Sequence, residues 1–313
     1  MAWLVALMYA TWSSVFAFGK VVLEYSTPLF LTGTRMLLAG VLMVGYLAIR
    51  KRTSLKLNKR QWISIGFLSL FSIFFANILE FWGLQYMTAA KTCFIYSLSP
   101  FFAALLSYIH FKEKMNKLKW IGMSIGFLGV IPVMMTQTGS EELFSGIGIF
   151  TWPTLAIVGA AFFSIYGWII LRLVVKDQEV SPVTANGLSM LIGGMLALFC
   201  SMGVDTWNPV PIASGTLVPF IAGTLGMTLL YNVICYNAYG WMLKRLTATF
   251  LSFMGLLSPI FASITGWFFL GETPSWQIFL STGVLSIGLW IIYRAELKQG
   301  YIKKSSKATT VES

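Results

Sequence analysis

Charge is what this sequence has least of. Only 11% of its 313 residues are charged, while 57% are apolar. A soluble domain carries about 25% charged residues, because its surface has to be hydrated. The shortfall excludes a water-soluble globule of this length and implies an all-α polytopic membrane protein. Histidine occurs once, as His110, and cysteine three times, as Cys93, Cys200 and Cys235. The cysteines lie in apolar runs with neither metal-ligand spacing nor a paired framework, so they read as small core residues. Dinucleotide fingerprints and P-loops are missing, which argues against an ATP-driven pump in one chain. No cofactor, no metal and no enzymatic activity is expected. Residues 122–126, GMSIG, do fit the G-x-S-x-G pattern of hydrolases. That pattern needs a strand–turn–helix with Asp and His partners; inside an apolar helix, small-residue packing explains it. Asp177 and Asp205 both stand near span ends, which removes an intramembrane aspartyl pair.

What is abundant is apolar sequence in runs of about 20 residues, the length that crosses a hydrocarbon core. Ten transmembrane helices are expected at 2–22, 28–49, 62–82, 86–110, 118–136, 148–171, 183–203, 216–238, 246–269 and 275–293. The first lacks the basic n-region and cleavage site of a signal peptide and reads as a retained helix. Charge sorts with this map. Lys and Arg number 22 against 11 Asp and Glu. Most of the basic residues fall in 50–61, in 111–119, at Arg172 and Lys176, at Lys244 and Arg245, and after residue 293. Ten spans put all of these on one side, and the positive-inside rule makes that side cytoplasmic. Both termini then lie inside, in the cell (inner) membrane. The same placement between apolar runs removes nucleic acid as a partner. Residues 294–313 read as a basic, disordered cytoplasmic tail.

Two stretches repeat each other: YSLSPFFAALLSYIHFKEK at 96–114 and GLLSPIFASITGWFFLGET at 255–273. Around them, 86–134 and 245–293 align without a gap at an offset of 159, pairing Pro100 with Pro259 and Glu113 with Glu272. Pro28 pairs with Pro182, and Gly40 with Gly194, at an offset of 154. The chain is thus expected to hold two five-helix units, 1–136 and 137–293, the second inverted because five is odd. A proline inside a helix removes a backbone hydrogen bond. Pro100 and Pro259 are expected to break their helices near mid-membrane, where freed groups must meet protein, water or substrate. Inverted repeats meeting at the midplane are a plan of secondary transporters.

Together with YATWSSVFAFGK (9–20) and TRMLLAG (34–40), these motifs resemble the drug/metabolite transporter superfamily, specifically its ten-helix EamA type. The resemblance covers about residues 2–293. It implies two inverted five-helix repeats around a central cavity, moving amino acids, sugars, nucleotide-like metabolites or drugs.

Charges within a membrane are costly and default to functional candidates. Lys20, Arg35, Glu80 and Lys91 are four such residues, all in the outer half of the first unit. Arg35 can hold a substrate carboxylate or phosphate bidentately, or pair structurally with Glu80. Lys91 can do similar work as a point charge. Lys20 reads as a snorkelling residue, and Glu80 as the partner of a substrate ammonium or the carrier of a proton. Trp12, Ser13, Tyr96 and Tyr166 form a second layer, and Asn232 is either interhelical glue or a ligand contact. The expected substrate is zwitterionic or amphoteric: an amino acid, or by analogy S-adenosylmethionine. The positive excess on the outer side suggests anionic groups entering from there. The alternative is a proton-coupled multidrug or metabolite exporter, which would favour a nearly uncharged cavity. A channel would need filter rings from several subunits. The partners expected are the small-molecule substrate and the bilayer, with the chain working as a monomer or homodimer.

Overall fold

The computed structural model describes residues 2–50, 55–111, 116–136, 138–144, 146–147, 150–245, 255, 257–273 and 275–299. Glu113, Pro274 and the far end of the tail lie outside them. The described chain is helical, with two isolated bridges and no named strand. Its helices are α1 (Ala2–Leu23), α2 (Pro28–Arg50), α3 (Lys59–Leu84), α4 (Ala89–Tyr96), α5 (Ser99–Phe111) and α6 (Lys117–Met135). The second half contributes α7 (Trp152–Lys176), α8 (Pro182–Val204), α9 (Leu217–Met242), α10 (Ser258–Leu270) and α11 (Trp276–Gln299). Counting α4 with α5 as one interrupted crossing, nine segments among the described residues are long and apolar enough to span a bilayer, and α10 is a shorter apolar helix. The chain is a polytopic membrane protein, and its described residues hold ten helical segments, five before residue 137 and five after it.

Local chemistry sets the helix starts. Thr88, Asn116, Thr151 and Ser181 each accept a hydrogen bond from the backbone N–H three residues on, the N-cap arrangement that satisfies an orphan donor. Thr151 with Pro153 in the first turn starts α7 at 152 rather than 148. Asn58 and Gln61 form a capping box, so α3 begins at Lys59 rather than 62. At the far end α11 runs to Gln299, past the residue where the tail was expected to begin.

Packing follows the internal repeat. α2 lies against α8 and α6 against α11, each helix on its own counterpart. α1 contacts α9 and α10, as α7 contacts α3 and α5. This is the pattern a pseudo-twofold axis produces. The α2–α8 seam shows it atom by atom. A Cβ on Gly40 would lie 2.5 Å from the Leu191 nitrogen, and one on Gly194 2.4 Å from the Leu37 nitrogen. Both contacts are the same contact 154 residues apart. Gly122 and Gly288 approach equally closely between α6 and α11, which is the use of the GMSIG run. Gly40→Ala should therefore destabilise the fold by about 1–3 kcal/mol through overpacking, read as a lower midpoint of thermal unfolding in detergent. Gly45→Ala on the same helix meets open space and serves as the neutral control.

A second symmetric feature had no sequence signal. α3 is π-helical over Ser69–Phe75 and α9 over Thr228–Cys235, starting 159 residues apart. Asn77 donates to the Ser72 and Ile73 carbonyls of the first π segment, and Asn237 to the Val233 carbonyl of the second. Such segments are rare and concentrate at functional sites.

Candidate functional site

The helix interruption lies at Ser97–Leu98, between α4 and α5, so Pro100 stands in the first turn of α5 rather than in a helix interior. Proline is tolerated there because its missing N–H would have no helical partner. The Ser99 hydroxyl takes over, donating to the Tyr96 carbonyl. In the second unit Pro259 occupies the same place, in the first turn of α10. Ser97, Ser99 and Pro100 from one break and Gly255 and Ser258 from the other face a common cavity of about 260 Å³. The Ser97 hydroxyl is buried beside it with no hydrogen-bond partner. Pro259 itself is buried and does not line the space.

The cavity has an aromatic wall. Trp12 of α1, Trp168 of α7, and Tyr236 and Tyr239 of α9 form one cluster with ring centroids 4.7–5.6 Å apart. Glu80 and Arg172 are the charged residues among the described lining. Glu80 lies one turn from the end of α3 and accepts a 2.6 Å hydrogen bond from the Tyr96 hydroxyl. Arg172 lies one turn from the opposite end, on α7. The α7 lining residues Ser164, Trp168 and Arg172 recur every fourth position, one stripe down the helix. The cavity thus runs from Glu80 towards the bundle end that carries Arg50, Lys59 and Lys176, here called the basic end.

At the other, acidic end a side-chain network ties helices together. Lys20 donates to Glu272 at 2.9 Å and to the Met87 carbonyl at 2.7 Å. Glu272 also accepts the Ala89 N–H, at 2.9 and 3.2 Å, and so caps the N-terminus of α4 from another repeat. One latch joins α1, α4 and the loop after α10.

Of the residues expected at the site, Trp12, Ser13, Glu80 and Tyr96 meet in the cavity. Arg35 does not line it. Its guanidinium is buried, donating to Asn77 at 2.6 Å and lying 4.6 Å over the Phe81 ring. Nor is Arg35 ion-paired with Glu80; the ion pairs among the described residues are Lys20–Glu272 and Lys91–Glu141. Lys91 is wholly engaged, donating to Glu141 at 2.7 and 2.9 Å and to the Thr136 carbonyl at 2.6 Å. With Lys20 and Lys91 neutralised, the positive excess that suggested anion entry from that side is gone. Asn232 donates to the Met36 sulfur, the interhelical option, and Tyr166 packs edge-on against Phe71, 5.0 Å away. The cavity adds Tyr9, Ser164, Trp168, Arg172, Tyr236 and Tyr239, which sequence reasoning passed over as packing or loop charge.

The model of the EamA-like transporter family matches this chain twice, at residues 1–135 and 151–294. The chain belongs to the EamA-like transporter family. Among its relatives, the "S-adenosylmethionine/S-adenosylhomocysteine transporter" of Chlamydia trachomatis is 38% identical, covering 94% of this chain and 89% of the relative. The protein of the same name in Chlamydia muridarum is 36% identical, covering 94% and 92%. A crystal structure of a protein only 15% identical superposes with a TM-score of 0.65 over 95% of this chain and 98% of its own, which concerns the fold alone. This EamA-like transporter is a multi-pass membrane protein that carries a solute rather than transforming one. Its cavity is built from both matched halves: α1, α3, α4 and α5 from the first, α7, α9 and α10 from the second.

Proposed function

We propose that this EamA-like transporter exchanges S-adenosylmethionine for S-adenosylhomocysteine by alternating access. It works in the cell (inner) membrane, with both termini and the basic end cytoplasmic. The observation that carries this reading is the kinship, along nearly the whole length of both chains, with transporters of that name. The cavity chemistry supports it. Trp12, Trp168, Tyr236 and Tyr239 offer faces for a purine ring and for a sulfonium cation. Glu80, Tyr96 and the unpartnered Ser97 hydroxyl offer acceptors and donors for ribose and amine groups. The repeat units are 1–136 and 137–293, followed by the basic tail 294–313, and the form described above faces inward.

One observation favours a second reading, export of lipophilic cations. Lys20, Arg35 and Lys91 are held outside the cavity, so its lining is aromatic and almost uncharged. Counterflow separates the two. Vesicles preloaded with unlabelled S-adenosylhomocysteine should take up labelled S-adenosylmethionine saturably, and empty vesicles should not. Absent exchange, joined to resistance of expressing cells to lipophilic cations, would replace the first reading by the second.

A further inference from the structure

We propose that Arg172 is the residue that recognises the substrate's carboxylate, and that substrates lie in the cavity with their amino-acid head at the basic end. The proposal rests on the exchange reading above and deepens it. From sequence, Arg172 is one of the basic residues that fix orientation. That explains a cation near a helix end. It does not explain why the side chain lines a ligand-sized cavity, where it has no hydrogen-bond or acidic partner among the described residues.

The order of groups along α7 gives the pose. Arg172 stands at the mouth, Trp168 one turn deeper and Ser164 a turn deeper still, each step about 6 Å by helix rise. A guanidinium fork holds a carboxylate through two parallel N–H donors. Trp168, backed by Trp12 at 5.6 Å, is then the π face that meets the positively charged sulfur next along the substrate. The nucleoside is left for the far part of the cavity, where Glu80, Tyr96 and Ser97 are the polar groups. Glu80 would repel a carboxylate placed there, so the reverse pose sets like charges together.

Three substrates test this in proteoliposome exchange. S-adenosylmethionine has both the carboxylate and the charged sulfur, S-adenosylhomocysteine has the carboxylate only, and decarboxylated S-adenosylmethionine has the charged sulfur only. R172Q should raise KM for the first two roughly ten- to hundredfold, the worth of a charge-assisted hydrogen bond, and leave the third unchanged. R172K, which keeps the orientation charge but not the fork, should fall between. W168L should raise KM for the two charged-sulfur substrates more than for S-adenosylhomocysteine. An equal loss for all three in R172Q, or no loss, overturns the proposal and returns Arg172 to an orientation role. If the wild-type protein exchanges none of them, the exchange reading fails first and this proposal falls with it.

Discussion

Lys91→Met is expected to destabilise the folded transporter by about 3–5 kcal/mol, because it strands a fully buried carboxylate. Glu141 has no solvent exposure, and Lys91 is nearly as enclosed. Besides the ammonium, Glu141 accepts hydrogen bonds from the hydroxyls of Thr151 at 2.9 Å and Thr154 at 3.1 Å, and from the Thr138 N–H. Those groups ease the burial of a charge without cancelling it. The prediction has a second arm, since a buried pair owes most of its apparent strength to the penalty of breaking it one-sidedly. Lys91→Met with Glu141→Gln should regain more than half of the loss, because the amide oxygen can still accept from the Thr138 N–H while the Thr151 and Thr154 hydroxyls, which can also accept, turn to the amide NH2. Thermal unfolding in detergent of the two single variants and the double variant closes the cycle. A Lys91→Met protein of wild-type stability that no longer binds substrate would instead put Lys91 in the transport site.

That alternative is what the sequence suggested, and the reason is instructive. An ionisable residue inside a span is a functional candidate by default. The partner that removes it from that class, Glu141, lies 50 residues away across a connection that reads as solvent-facing. Long-range pairing of this kind has no local signal. The breaks near Pro100 and Pro259 were legible because the repeat prints their motif twice; Gly40 and Gly194 were legible as a repeat pair, but the α2–α8 seam they form was not. The π segments were not. Ser69–Phe75 is an ordinary apolar run, and a shift in hydrogen-bond register leaves composition and periodicity almost unchanged. Arg172 was hidden because orientation already accounted for it. Trp168, Tyr236 and Tyr239 were hidden because aromatic residues in a span mostly pack. Glu80 and Tyr96 were visible as single polar residues, and the fold joins them.

Glu272→Ala is expected to open the acidic end. Its carboxylate makes two kinds of contact there, an ion pair with Lys20 and a cap on the first N–H of α4. Both are only slightly exposed, so solvent screens them weakly. Losing both should favour the form open at the acidic end by about 2 kcal/mol, roughly a thirtyfold change in the ratio of the two forms. Cys93 lines the cavity and reports this directly. With Cys200 and Cys235 replaced by serine, a membrane-impermeant maleimide applied from the acidic-end side should label Cys93 slowly in the parent and much faster in the Glu272→Ala protein. Lys20→Met removes the ion pair and keeps the cap, so its effect should be smaller. The charge swap Lys20→Glu with Glu272→Lys separates the contacts further. It restores an ion pair but sets an ammonium against a helix N-terminus, where positive charge is disfavoured, so it should stay open rather than close. Closure by the swapped pair would mean that the Lys20–Glu272 attraction alone holds the latch. Unchanged Cys93 labelling in the Glu272→Ala protein would mean that the apolar packing of α1 against α10 keeps this end shut, and that Glu272 serves only to finish α4.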